Sequence, residues 1–285
     1  MQFTIHQPPP LLADSVKAIW VARGPREEFA APEPIVPDGC VEVIFNVGGR
    51  FVDARTGELQ PRVLLAGQMT RPVIALPTGA VDLIGVRFHT GRAGAALAMP
   101  MSTLQDRLID AGTVSPGFVR LADNLGNLPC PQRLEHLSAA LATLLRPVDS
   151  GTLSAVDQAL AMIDGLHGSV SIEMVAKRIG VTRRQLERQF REHVGLRAKH
   201  VARIVRIHTV LEMLRRQPDL SGAEIAASCG YSDQAHLIRE CQELAGQTPQ
   251  RLKTTTRSLA RAIRGRGPRV PRPVTSPAGG ADRSR

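Results

Sequence analysis

The chain reads as an α+β protein: a β-rich, barrel-like N-terminal domain with helices, then an all-α domain with two helix-turn-helix units. Three observations predict this. A pattern is written twice: Ala176, Gly180 and Thr182 recur fifty positions later as Ala226, Gly230 and Ser232, and Leu186, Arg188 and Gly195 recur fifty-one positions later as Leu237, Arg239 and Gly246. Between residues 37 and 89, short apolar runs alternate with glycine- and proline-bearing turns, the mark of a small β-barrel or sandwich. The charge is also uneven: residues 1–150 hold 13 Lys/Arg against 14 Asp/Glu, residues 151–256 hold 15 against 11, and residues 257–285 hold 8 against 1. The net +10 therefore lies with the repeated pattern and the tail, which suits a polyanionic partner.

In chain order, prolines at 8–10, 25, 32 and 34 keep residues 1–35 extended or loop-rich, with a short helix over Asp14–Val21 carrying Trp20 as a core anchor. Pro37-Asp38-Gly39 is a turn into a strand over Cys40–Asn46, and Gly48-Gly49 suggests a hairpin into Arg50–Ala54. Further strands are expected at Val63–Ala66, Pro72–Leu76 and Val81–His89. Short helices follow at Ala93–Ala98, Thr103–Asp110 and Leu121–Leu125. A helix over Gln132–Leu145 lines up Leu134, Leu137, Leu141, Leu144 and Leu145; it either mediates self-association or closes the open end of the barrel. The boundaries are therefore 1–149 for the sensor or dimerisation domain, 150–256 for the helical domain and 257–285 for a basic tail with too few apolar residues to fold.

The repeated unit has local physical reasons. Ala176 and Ala226 are small enough for two helices to cross closely, and Gly180 and Gly230 can end a helix in the left-handed conformation. Thr182 and Ser232 can cap the helix that follows, and Thr182 with Gln185, like Ser221 with Glu224, has capping-box spacing. A short helix, a glycine turn and a second helix give the geometry that fits a recognition helix to the major groove. A connecting helix over Lys199–Leu214, roughly 24 Å at about 1.5 Å per residue, spaces the units for successive groove openings about 34 Å apart.

Other classes fall away. Cys40, Cys130, Cys229 and Cys241 form no CxxC pair, no apolar run reaches spanning length and no signal pattern opens the chain, so a cytoplasmic, nucleoid-associated protein with no membrane partner is expected. His6, His89 and Cys40 offer no HxH or HxxxH pair. GxSxG, GxxxxGK[ST] and HExxH are absent, so no catalytic residue, cofactor or metal is expected and the chain is read as no enzyme.

Residues Ser154 to Lys253 resemble the AraC/XylS family of bacterial transcription regulators, on Ala226-Ala-Ser-Cys-Gly-Tyr-Ser-Asp-Gln-Ala-His-Leu-Ile-Arg239, Gly246-Gln-Thr-Pro249 and Arg206. Residues 37–110 resemble the cupin-like domain of some of these regulators, on Pro37-Asp38-Gly39, Gly85-Val-Arg-Phe88 and Gly91-Arg-Ala-Gly-Ala-Ala-Leu97. The resemblance implies double-stranded DNA as partner, a small-molecule effector of unknown identity, contact with RNA polymerase and a homodimer. Departures fall at Val201, Val210, Cys241, Ala245 and Arg197-Ala198, where altered packing is expected. Gly222 is expected to loosen the second unit.

The contacts follow from side-chain chemistry. Arg183, Arg184, Glu187 and Arg188 stand early on the first recognition helix, and Gln234, His236 and Arg239 on the second. Arginine suits guanine O6/N7, glutamate cytosine N4, and glutamine adenine N6/N7. Lys199, Arg203 and Arg251 are expected on phosphates. The competing reading is a small-molecule or enzymatic barrel with a nonspecific basic nucleic-acid tether.

Overall fold

In the computed structural model, residues 2–29, 34–148 and 154–254 are described; the expected domain boundary at 149/150 and the basic tail at 257–285 lie outside the described residues. Strands β1 (Gln2–His6), β2 (Val16–Gly24), β3 (Glu42–Asn46), β5 (Val63–Ala66), β7 (Val81–Phe88) and β8 (Leu108–Asp110) form one sheet in the order β1-β2-β7-β3-β5-β8, with every pairing antiparallel. Strands β4 (Phe51–Asp53) and β6 (Ala75–Pro77) pair in a second, smaller sheet.

The main sheet is buried on both faces. Ile19, Val21, Val43, Phe45, Val63, Leu65, Ile84 and Val86 pack on one side against α2 (Pro116–Asn127) and α3 (Cys130–Leu144), through Phe118, Leu121, Leu125, Leu137 and Leu141. On the other side Trp20, Ala22 and Leu83 meet Phe51 of the small sheet, and a cavity of about 120 Å³ remains between the sheets. Gly85 on β7 is required there: a Cβ at this position would lie 2.0 Å from the Trp20 ring.

Several sequence expectations need correction. Asp14–Val21 holds no helix; Val16–Gly24 is β2, whose alternate side chains feed opposite cores, so residues 18–22 between Lys17 and Arg23 are continuously apolar and lose the period-two signature. Thr103–Asp110 is likewise no helix, since a 3-10 turn at Met101–Thr103 leads to β8. The Gly48-Gly49 turn does not pair β3 with β4: β3 lies between β7 and β5, and β4 pairs with β6. Strand β1 went unread. Helix α1 (Ala93–Leu97) and α3 stand where expected, and α3 buries Leu137 and Leu141 in the sheet core.

The helical domain comprises α4 (Ala155–Gly165), α5 (Ile172–Arg178), α6 (Arg183–Gln189) with a π-helical turn at Phe190–Val194, α7 (Ala198–Arg216), α8 (Gly222–Ser228), α9 (Gln234–Ala245) and α10 (Pro249–Thr254). The last helix thus begins at Pro249 rather than fading there. One core gathers around Leu186 and Phe190, a second around Leu237 and Cys241. Helix α7 serves both, giving Val201, Ala202 and Ile204 to the first and Ile207, Val210 and Leu214 to the second.

Candidate nucleic-acid interface

The first unit is α5, a glycine turn and α6. Gly180 takes φ +77°, and Thr182 closes a capping box: its Oγ1 accepts from Gln185 N at 3.2 Å while its own N–H donates to Gln185 Oε1 at 2.8 Å. Behind the helix, Ala176 and Leu186 are buried. In front, Arg183, Arg184 and Arg188 are exposed and make no ion pair among the described residues, and Glu187 is half-buried beside them. A surface hollow runs between Arg184, Glu187, Arg188 and Arg191. Glu187 Oε2 faces no donor among the described residues, which suits a carboxylate that meets a base amine.

The second unit repeats the plan with one difference. Gly230 takes φ +71°, and Ser221 with Glu224 forms the expected capping box on α8. The cap of α9 is Asp233 instead of Ser232: Asp233 Oδ1 accepts from His236 N at 2.6 Å, and this bond holds the carboxyl below the usual range. The residue inserted relative to the first unit moves the cap by one position. Ser232 bonds the His236 ring at 3.2 Å. Gln234 and Arg239 are exposed, and His236 is half-buried with its ring edge on Tyr231 at 5.1 Å between centroids. Gly222 has a structural use, because the Gln234 side chain occupies the space where a Cβ would stand, 2.6 Å from Nε2.

Sequence reasoning missed what holds α9 to α7. Glu240, only 3 % exposed, accepts from Arg203 Nε at 2.7 Å and from Arg206 at 2.9 Å, and the Arg206 guanidinium lies 4.5 Å over the Tyr231 ring. Arg203 also reaches Glu243 at 2.5 Å. Burial opposes its charge, but the bonds to Glu243 and Glu240 outweigh burial and hold its pKa above the usual arginine range. Arg203, expected on a phosphate, is therefore occupied in an internal network. No periodicity flags a pairing across 34–37 positions of chain. Lys199 and Arg251 are exposed, on the first turns of α7 and α10.

Three of the cysteines are buried: burial pushes the Cys40 and Cys229 thiols to about 11 and Cys241 to about 12, so all three stay protonated at neutral pH. Among the described residues no three His, Cys, Asp or Glu side chains form a metal-binding group, and no helix is long and apolar enough to cross a membrane.

Comparison with known proteins finds relatives of both parts of the chain. Residues 175–263 match the model of a helix-turn-helix domain, and residues 4–110 match a domain of unknown function, DUF6597. The HTH-type transcriptional activator RhaS of Escherichia fergusonii is 28 % identical over 106 residues, 37 % of this chain and 38 % of that protein. The HTH-type transcriptional regulator GlxA of Rhizobium meliloti is 37 % identical over 79 residues, 28 % of this chain and 24 % of that one. The chain thus spans well under half the length of these relatives. Among solved structures, ToxT of Vibrio cholerae superimposes with a TM-score of 0.44 at 10 % identity, covering 87 % of this chain and 99 % of that one.

Proposed function

We propose that the chain is a sequence-specific DNA-binding transcription regulator of the AraC type that reads two successive major-groove segments, a reading supported by the match of residues 175–263 to a helix-turn-helix domain. The observation that carries this is the pair of capped recognition helices, α6 and α9, joined through one helix that belongs to both cores. Each offers exposed polar side chains on its first turns: Arg183, Arg184 and Arg188 on one, Gln234 and Arg239 on the other. Arginine and glutamine are the side chains that pair bidentately with guanine and adenine edges, while Lys199 and Arg251 position the protein on phosphates. The N-terminal domain, with its cavity, is the sensor. A small molecule bound there shifts the population of domain arrangements and so the presentation of the two units.

Fluorescence anisotropy with the DNA upstream of the chain's own coding sequence, against random competitor, tests this. Retention of a specific complex at competitor excess is expected. A steep salt dependence with no sequence preference would mark the helical domain as an electrostatic tether and sink the proposal.

A further inference from the structure

The cavity between the two sheets, about 120 Å³, is close to the roughly 150 Å³ of an apolar protein cavity that takes benzene. Its body is apolar, built by Ile44, Phe51, Leu64 and Leu83, and its polar groups stand at two ends. At one end Glu42, on β3, accepts from Trp20 Nε1 at 3.2 Å and from Arg87 Nε at 2.5 Å, both on Oε1; no bond to Oε2 is formed among the described residues. Asp38 takes Arg87 at 3.0 Å, so two carboxylates line this end against one guanidinium already engaged by both. Burial, with the neighbouring Asp38 charge acting in the same sense, raises the Glu42 pKa in spite of Arg87. At the other end, four residues along the same face of β3, Asn46 is 3 % exposed. It donates to the Pro61 and Arg62 carbonyls at 3.2 and 3.3 Å and leaves Oδ1 buried without a donor. Strand geometry sets the two ends about 13 Å apart at the backbone, and less where the side chains reach inward.

We infer that this cavity binds a small primary amine with a ring-sized apolar body, its ammonium on Glu42 and any donor on its far end facing Asn46. A carboxylate of the same shape is rejected, because it would lie against Glu42 and Asp38, which already hold Arg87 Nε and one of its Nη atoms. The site also has a route outward. Ile35, Val36 and Pro37 line the cavity, while Val36 is buried in the core with Ile207 and Val210 of α7, and Pro37 O accepts from His208 Nε2 at 2.7 Å. Occupancy is therefore felt at the second DNA-reading unit, a consequence that rests on the proposed function.

The site reports on itself, since Trp20 is the only tryptophan in the sequence and lines the cavity. Titration of the full chain, without DNA, with phenethylamine, tyramine and 3-phenylpropanoate is read as Trp20 fluorescence. Both amines are expected to change the emission saturably, tyramine more tightly through its phenol, and 3-phenylpropanoate to give no response. Glu42→Gln, isosteric and still able to accept from Trp20, is expected to weaken both amines by about tenfold or more, the weight of one charge-assisted hydrogen bond. Should that variant unfold, Leu64→Phe, which fills the cavity without touching the charges, is expected to abolish the response. Silence from both amines, or 3-phenylpropanoate binding as tightly as phenethylamine, overturns the site. Either result leaves the DNA-reading proposal standing, and loss of operator binding leaves the amine titration to be judged alone.

Discussion

Arg188 and Glu240 are both charged residues on the second helices of the two helix-turn-helix units, and their surroundings set them apart. Arg188 is exposed and makes no ion pair among the described residues, so Arg188→Ala leaves stability unchanged. In binding to the cognate site it costs on the order of 1–3 kcal/mol. Equal weakening on random duplex, measured by anisotropy, would reduce it to a phosphate contact. Glu240 is buried between Arg203 and Arg206, and Glu240→Ala takes the carboxylate from Arg206 and leaves Arg203 with Glu243 alone. About 3 kcal/mol of destabilisation is expected, read as a lowered unfolding midpoint in urea, because removing one partner of a buried pair leaves its charge uncompensated. A variant that melts like the wild type would refute the locking role. His200, on α7, adds a pH dependence: burial lowers its pKa, with the Arg203 charge acting in the same sense, and its Nε2 has no partner among the described residues. Its folded pKa lies below the unfolded value near 6.5, so the unfolded state takes up the proton first. The stability it contributes is present above that unfolded value and is lost as pH falls through the lower folded one. Melting temperatures should drop on acidification across this window, less steeply in His200→Leu.

Elements differ in how plainly the sequence announces them. The helical domain was legible because its signals are local: capping oxygens three residues from their partners, glycines at positive φ, and a pattern seen twice. Strands β3, β5 and β7 were legible as short apolar runs between glycine- or proline-bearing turns. What stayed hidden is decided by tertiary neighbours. The middle of β2, residues 18–22, is apolar on both faces only because cores form on both sides of the sheet, and β4 finds β6 across about two dozen residues of chain. The exposure of the residues proposed to read DNA follows from the same local pattern as the helices, whereas the Glu240 network and the strap at 35–37 needed the fold. Gly85 shows how closely two such elements are matched. Paired with Trp20 across β2 and β7, it has no room for a methyl group. Gly85→Ala should cost at least the 1–3 kcal/mol typical of overpacking and lower the urea midpoint. An alanine variant as stable as the parent would mean that the two strands are not in this register.

At the scale of the whole molecule, the N-terminal domain touches both helix-turn-helix units. Arg92 pairs with Asp157 at 3.0 Å and Gly195 packs against Gln68 and Met101 beside the first unit, while Pro34, Pro72 and Pro37 meet Gly246 and His208 of the second. Helix α7, with 19 residues and therefore roughly 28 Å long, has one half in each core. The units consequently cannot swing independently, and the protein should act as a fixed-span gauge on DNA whose groove recurs about every 34 Å. Inserting about 5 base pairs between the two contacted segments turns the second to the opposite face of the duplex, and about 10 restores the face but adds a full turn of distance. Both insertions should reduce affinity to that of a Gln234→Ala, Arg239→Ala double variant on the unmodified site. Recovery at the 10-base-pair insertion would show a hinge within α7, and equal affinity at every spacing would show that a single unit binds alone.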